Sequence, residues 1–266
     1  MELGLRGTVV LVTGGSKGIG LACARTFAAE GARVAIASRD AGNLARAAAA
    51  LRASGTGAGD EPFTVTADLG DPAQAAEMVR AVEAALGPIG VLVNSAGAAR
   101  RTPPAELTAA HWHAAMDAKY FPYIHAIDAV LPGMAQRGAG SIVNVIGMGG
   151  KVASPTHLPG GSANAALMLA TAGLANAFAA KGVRVNAVNP GLTATDRMQE
   201  GLEAEARASG RTVEDVLAQR VAALPLGRVA QAQDMADVVV FLASGRAGYV
   251  SGSVVSVDGA GVAMVV

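Results

Sequence analysis

Short apolar runs rich in β-branched residues alternate along this chain with longer stretches whose apolar positions recur every three or four residues. The runs are Thr8–Val12, Arg33–Ala37, Phe63–Thr66, Val91–Val93, Gly140–Ile146, Arg184–Val188 and Val254–Val257. Helical patterns lie between most of them, as at Ile19–Glu30, Ala41–Ala53, Pro72–Leu86 and Asp234–Ala243. Strands that are apolar throughout, rather than on alternate positions, are buried on both faces. Separated by helices, they predict a seven-stranded parallel sheet with helices on both faces, a doubly wound α/β fold in a single domain over 1–266. Ser54–Asp60 reads as a flexible loop. Asp196–Leu224, rich in Glu, Arg and Ala, reads as a helical flap over the carboxyl ends of the strands, where binding loops gather.

Composition narrows the class. Apolar residues make up 52% of the 266 residues, enough for a large core. The 21 basic and 21 acidic residues balance, and no basic block stands out, so nucleic acid is not an expected partner. The lone Cys23 excludes an internal disulfide and reads as a small core residue. Met1–Leu5 shows no basic segment followed by an apolar one, so a cytoplasmic location is expected. Ala163–Ala180 is strongly apolar but contains Asn164, Thr171 and Asn176, so it reads as a helix buried on several sides and not as a membrane span.

The first strand runs into Thr13-Gly-Gly-Ser-Lys-Gly-Ile-Gly20, a glycine-rich turn that opens a helix. Such a turn lets backbone N–H groups and a helix N-terminus meet a pyrophosphate, which makes Gly14, Ser16, Lys17, Gly18, Ile19 and Gly20 candidate cofactor ligands. The second strand ends in Ser38 and Arg39, and Lys17 is the other nearby cation. Two cations and a hydroxyl suit a 2′-phosphate, so NADP(H) is expected over NAD(H), the alternative being that both are ordinary surface cations; Asp40 follows directly and is easily misread as the acidic group that selects NAD(H).

These motifs, with Ala67-Asp68-Leu69, Asn94-Ser-Ala-Gly97 and Asn189-Pro-Gly-Leu-Thr-Ala-Thr195, resemble the short-chain dehydrogenase/reductase family along nearly the whole chain. The resemblance implies a Rossmann fold, with the cofactor half at about 1–150 and the substrate side and flap at about 151–266. It also implies adenine contacts from Asp68 and Leu69, and contacts from Asn94, Ala96, Gly97, Pro190, Gly191, Thr193 and Thr195. Asn94 could equally support a structural turn. A small-molecule substrate and a homodimer or homotetramer follow from the same resemblance.

The resemblance fails where protons move. The family's active site carries an Asn-Ser-Tyr-Lys tetrad, and these positions read Lys119, Gly147, Gly160 and Asn164. Gly160 has no group to donate with, and Asn164 is neutral. The two polar exchanges look reciprocal: Lys119 would restore the missing charge and Asn164 keep a hydrogen-bond partner. His157 is a further candidate acid, with Lys119 and Asn164 completing the candidate catalytic set. Tyr123 lies one turn from Lys119 on the same helix face and, like Tyr120, reads mainly as core. Gly160 and Gly161 are expected to make room for a larger or flatter substrate. His111, His113 and His125 have no metal-ligand spacing with a carboxylate, so no metal is expected. The chain therefore reads as an NADP(H)-dependent oxidoreductase with a non-standard active site, acting on a carbonyl, alcohol or activated alkene. The alternative is a catalytically silent NADP(H)-binding sensor or inactive partner subunit.

Overall fold

The computed structural model describes residues 2–53, 61–97 and 99–264; the expected loop Ser54–Asp60 lies outside them. Seven strands, β1 (Val9–Thr13), β2 (Arg33–Ser38), β3 (Phe63–Thr66), β4 (Ile89–Asn94), β5 (Gly140–Val145), β6 (Val183–Pro190) and β9 (Val254–Val257), form one sheet in the order β3-β2-β1-β4-β5-β6-β9. Every pairing is parallel. Strands β7 (Thr193–Ala194) and β8 (Ala230–Gln231) pair separately beside the crevice. The expected doubly wound sheet is therefore present.

Helices α1 (Gly18–Ala29) and α9 (Ala232–Ala243) cover one face through Phe27, Cys23, Met235 and Val239. Helices α3 (Pro72–Leu86) and α5 (Phe121–Arg137) cover the other through Met78, Val82, Ile127 and Met134. Both layers form because the central strands carry apolar residues on either side, so each face must be buried. Burial also raises the Cys23 thiol pKa to about 12, leaving it an apolar core group.

Several boundaries move. Strand β1 omits Thr8 and gains Thr13, β5 stops before Ile146, and β4 and β6 extend at both ends. Helix α9 starts two residues early, on a capping box between Gln231 and Asp234. The flap is two helices, α7 (Asp196–Ser209) and α8 (Val213–Ala222), packed through Leu202, Ala206 and Val216. Helix α2 (Ala41–Ala53) is as expected.

Helix α6 spans Leu158–Phe178, longer than expected, and is not buried on several sides. Ala163, Asn164, Leu167, Thr171 and Ala175 share its buried face, while Leu169 on the other face is 77% exposed. Its length and composition alone would suit a membrane span. Its polar groups instead tie it to the sheet. Asn144 Nδ2 donates to Thr171 Oγ1 at 3.0 Å, and Asn94 Nδ2 donates to Asn144 Oδ1 at 3.0 Å. Thr13 Oγ1 donates to Asn94 Oδ1 at 3.2 Å. This chain runs from β1 to α6 beneath the carboxyl edge and spends the Asn94 side chain inside the sheet.

Because each member is buried, breaking the chain leaves polar atoms without partners. Asn144→Ala orphans Asn94 Nδ2 and a lone pair of Thr171, at an expected cost of about 1–3 kcal/mol. Urea unfolding measures it; a variant as stable as the parent would contradict this role.

Candidate functional site

The crevice opens where the strand order reverses, between β1 and β4, and its parts close on one another. A Cβ on Gly14 would lie 2.8 Å from the Ala96 backbone, so the turn after β1 and the segment after β4 approach more closely than a side chain permits. A Cβ on Gly20 would strike the Gly14 carbonyl, which fixes α1 against the turn. Helix α1 begins after Lys17 with no side-chain cap, leaving its first amides for an incoming acceptor. Thr195 packs against Gly18, 3.4 Å from where a Cβ would stand. Thr193 Oγ1 donates to Gly191 O at 3.1 Å, and Thr195 Oγ1 donates to Thr193 O at 3.4 Å. Pro190 closes β6, so this loop borders the crevice opposite Gly97.

At the outer end, Lys17 and Arg39 are exposed, and neither pairs with a carboxylate among the described residues. Asp40 is committed elsewhere: its Oδ1 accepts from Asn43 N at 2.6 Å at the start of α2. Asp68 Oδ1 accepts from Gly70 N at 3.0 Å, and Leu69 is buried beside it. The glycine cradle, uncapped helix start and unpaired cations fit a phosphorylated dinucleotide.

The inner end is built around Lys119. Helix α4 (Ala109–Ala115) continues through a single π-helical turn, Met116–Tyr120, into α5. Such turns are frequent at functional sites because the widened coil re-aims side chains. Here Lys119 turns inward and is only 6% exposed. Its Nζ donates to the Tyr123 hydroxyl at 2.8 Å and to Val145 O at 3.1 Å. The Tyr123 hydroxyl also donates to Val145 O. Ammonium and phenol thus meet at the carboxyl end of β5, just before Gly147. No carboxylate among the described residues pairs with Lys119. Burial, helped by the charge of Arg197, lowers its pKa from 10.5 to about 7. The same burial pushes the Tyr123 phenol well above its ordinary value.

Asn164 and Lys119 do not hydrogen-bond to each other. Asn164 Nδ2 lies 3.3 Å from where a Cβ on Gly147 would stand, so its amide lies beside that glycine. Its Oδ1 is buried without a partner, as is His157 Nδ1. Orphaned buried polar atoms are rare, and the His157 ring and Asn164 amide that carry these two both border Gly149. Burial first, then Arg101, Arg197 and Lys119, lower the His157 pKa and favour its neutral form.

The expectation that Gly160 and Gly161 make room is overturned. A Cβ on Gly160 would collide with the His157 ring, with Nε2 at 2.6 Å and the Ala99 Cβ at 2.8 Å. One on Gly161 would lie 2.6 Å from Gly149 O. The imidazole and Ala99 fill the space that a side chain on Gly160 would need. Gly147 is tied down as well, its N–H donating to Asn189 Oδ1 at 3.2 Å, and its φ of 139° disfavours a side chain. Among the described residues no group of His, Cys, Asp and Glu is placed to hold a metal ion.

Two groups escaped the sequence reading. Tyr123 was legible as a helical neighbour of Lys119 but not as its hydrogen-bond partner. Arg101 and Arg197 come from distant segments and converge only in the fold. The paired Arg100-Arg101 just after the Gly97 turn was the available signal.

Comparison with known proteins places the whole arrangement in context. The family model described as enoyl-(acyl carrier protein) reductase matches residues 14–262. The chain is 36% identical over 256 residues to 2-(S)-hydroxypropyl-CoM dehydrogenase 3 of Xanthobacter autotrophicus, covering 96% of each chain. It is 34% identical over 255 residues to gluconate 5-dehydrogenase of Gluconobacter oxydans, covering 96% of this chain and 94% of the relative. Among solved structures it is similar to L-sorbose reductase from Gluconobacter frateurii complexed with NADPH and L-sorbose, with TM-score 0.92, 28% identity and 100% of both chains covered. It is also similar to an NADPH-bound short chain oxidoreductase from Pseudomonas aeruginosa, described as containing an atypical catalytic center. That match has TM-score 0.87 and 33% identity, and covers 97% of this chain and 98% of the other.

Two outcomes test this geometry. Gly160→Ala should cost about 1–3 kcal/mol by overpacking, and adding His157→Ala should recover part of that loss; a freely tolerated Gly160→Ala contradicts the closed site. Lys119 binds its proton more weakly folded than unfolded, so the penalty is fully present below about 7 and fades as pH rises toward 10.5. Stability should climb over that window, and Lys119→Met should flatten the climb in chemical denaturation at stepped pH. Parallel curves for the two proteins would refute a depressed lysine.

Proposed function

The chain belongs to the short-chain dehydrogenase/reductase family, and from that premise we propose an oxidoreductase that interconverts an alcohol and a carbonyl with NADP(H), using Lys119 as its proton-transfer group. The observation that carries the reading is the buried Lys119 ammonium held by Tyr123 and Val145 O with no carboxylate partner. A lysine so held exchanges its proton near neutral pH, where a general acid works best.

Gly14, Ser16, Lys17, Gly18, Ile19 and Gly20 hold the pyrophosphate. Ser38, Arg39 and Lys17 take the 2′-phosphate, with Asp40 engaged in capping α2. Asp68 and Leu69 flank the adenine. Asn94, through the turn it anchors, sets Ala96 and Gly97, while Pro190, Gly191, Thr193 and Thr195 border the nicotinamide half. When bound, the cofactor supplies or accepts the hydride.

The protein's own groups handle the proton. In reduction the Lys119 ammonium gives its proton to the substrate oxygen; in oxidation the neutral amine takes it back. Tyr123, kept as a phenol by burial, positions the amine. The Asn164 amide donates to the substrate oxygen in place of the family's serine hydroxyl, and its free Oδ1 accepts from a ligand hydroxyl. His157, half-buried and favoured neutral, joins this buried set to solvent. The NADPH-bound relatives support the choice of cofactor, and the relatives named as dehydrogenases and reductases favour an active enzyme over a silent sensor. The exposed apolar face of α6 supports self-association.

NADPH should bind, as followed by its fluorescence, and be oxidised against a panel of ketones. The rate of reduction should fall, and that of oxidation rise, as pH passes through about 7. Lys119→Met should remove that dependence and slow turnover by about 10²–10⁴-fold while retaining NADPH binding. Parent-like rates and pH profile in Lys119→Met would remove the lysine from the mechanism, and binding without turnover across the panel would restore the silent alternative.

A further inference from the structure

Two exposed arginines stand at segments that border the candidate site. Arg101, on the segment that follows β4, reaches Thr156 Oγ1 at 3.3 Å, and the adjacent Thr102 N–H donates to Thr156 O at 2.9 Å. Arg197, in the first turn of α7, donates to Gly97 O at 3.4 Å. Neither arginine forms an ion pair among the described residues. Glu205 on α7, whose charge acts on Arg101, is already held by Arg211 and Arg220. Arg101 thus stands beside the residue preceding His157 and Arg197 beside Gly97, and the charges of both, with that of Lys119, disfavour a protonated His157. The His157 ring and the Asn164 amide both border Gly149, and each carries an unpartnered buried atom, His157 Nδ1 and Asn164 Oδ1, the latter on a residue only 5% exposed.

Gathering like charges costs free energy unless something of opposite sign offsets them. Guanidinium groups are suited to that task because they grip planar oxyanions through paired donors. We propose that the substrate is itself an anion: an oxo acid or hydroxy acid whose carboxylate is gripped by Arg101 and Arg197 while its carbonyl or alcohol oxygen meets Lys119. The proposal rests on the oxidoreductase reading for the reacting end, but the anion site stands on its own contacts. Arg197 opens the flap helix and already touches Gly97, so a carboxylate held between the two arginines ties the flap to the segment after β4. The position of the charged end then selects which carbon faces the cofactor.

The test uses the full chain, with and without NADPH, and pairs of probes: pyruvate, acetoacetate and levulinate, each against its methyl ester. Calorimetry reads binding and NADPH absorbance reads turnover. At least one acid should bind and be reduced in preference to its ester. Arg101→Gln and Arg197→Gln should each cut that acid-over-ester preference by about tenfold or more, the size of one lost charge-assisted contact. Arg80→Gln, on the far side at α3, should leave the preference intact. Acids and esters binding alike, no acid binding at all, or arginine variants with parent-like preference would each overturn the anion site. Acids that bind through the arginines yet are never reduced would leave the site standing and sink the oxidoreductase reading instead.

Discussion

A lysine buried without a carboxylate is the constraint around which this molecule is arranged. Taking an ammonium out of water is expensive, and two neutral acceptors, the Tyr123 hydroxyl and Val145 O, do not neutralise its charge. The fold tolerates this only because both acceptors are held rigidly, one at the end of β5 and one on the helix that carries the lysine. The π-helical turn at Met116–Tyr120 supplies the local widening that points Lys119 inward. A device that lowers stability and persists in the interior is the usual mark of a functional group.

The surroundings are shaped by close backbone approach more than by side chains. Gly97 carries φ 103°, and a Cβ there would strike the Ala118 carbonyl, so the segment after β4 rests directly on the turn bearing Lys119. Gly150 lies against the backbone of α6 in the same way, where a Cβ would be 2.7 Å from Ala165 N. At Gly150 and Gly160 the packing therefore leaves no room for a side chain. The candidate site carries an imidazole, an amide and an ammonium, the first two from the start of α6 and the third from the π-helical turn.

The sheet was legible because burial on two faces forces long apolar runs, a local property of each strand. The glycine-rich turn was legible for a similar reason: Gly14, Gly18 and Gly20 follow β1 at a fixed spacing. That Gly147, Gly160 and Asn164 carry no acid was legible in the sequence, but the packing around them was not. Whether Gly160 leaves a hole depends on how near His157 and Ala99 come, and that is set by the packing of α6. The Lys119–Tyr123 bond was half legible, since helical spacing places the two side chains together without saying whether the phenol faces core or amine. Arg101 left a local signal in the Arg100-Arg101 pair, but nothing in the sequence ties it to Arg197, whose contact with Gly97 exists only in the fold. Helix and strand ends shifted by a residue or two because caps such as Gln231 with Asp234 decide them.

The central claim is that Lys119 exchanges its proton near neutrality within the folded protein. Titrating isotope-labelled lysine by NMR, with the Lys119 resonance assigned by its absence in Lys119→Met, measures this directly. The account predicts a midpoint of about 7, against an ordinary value of 10.5. A Lys119 resonance that titrates with the surface lysines would contradict it.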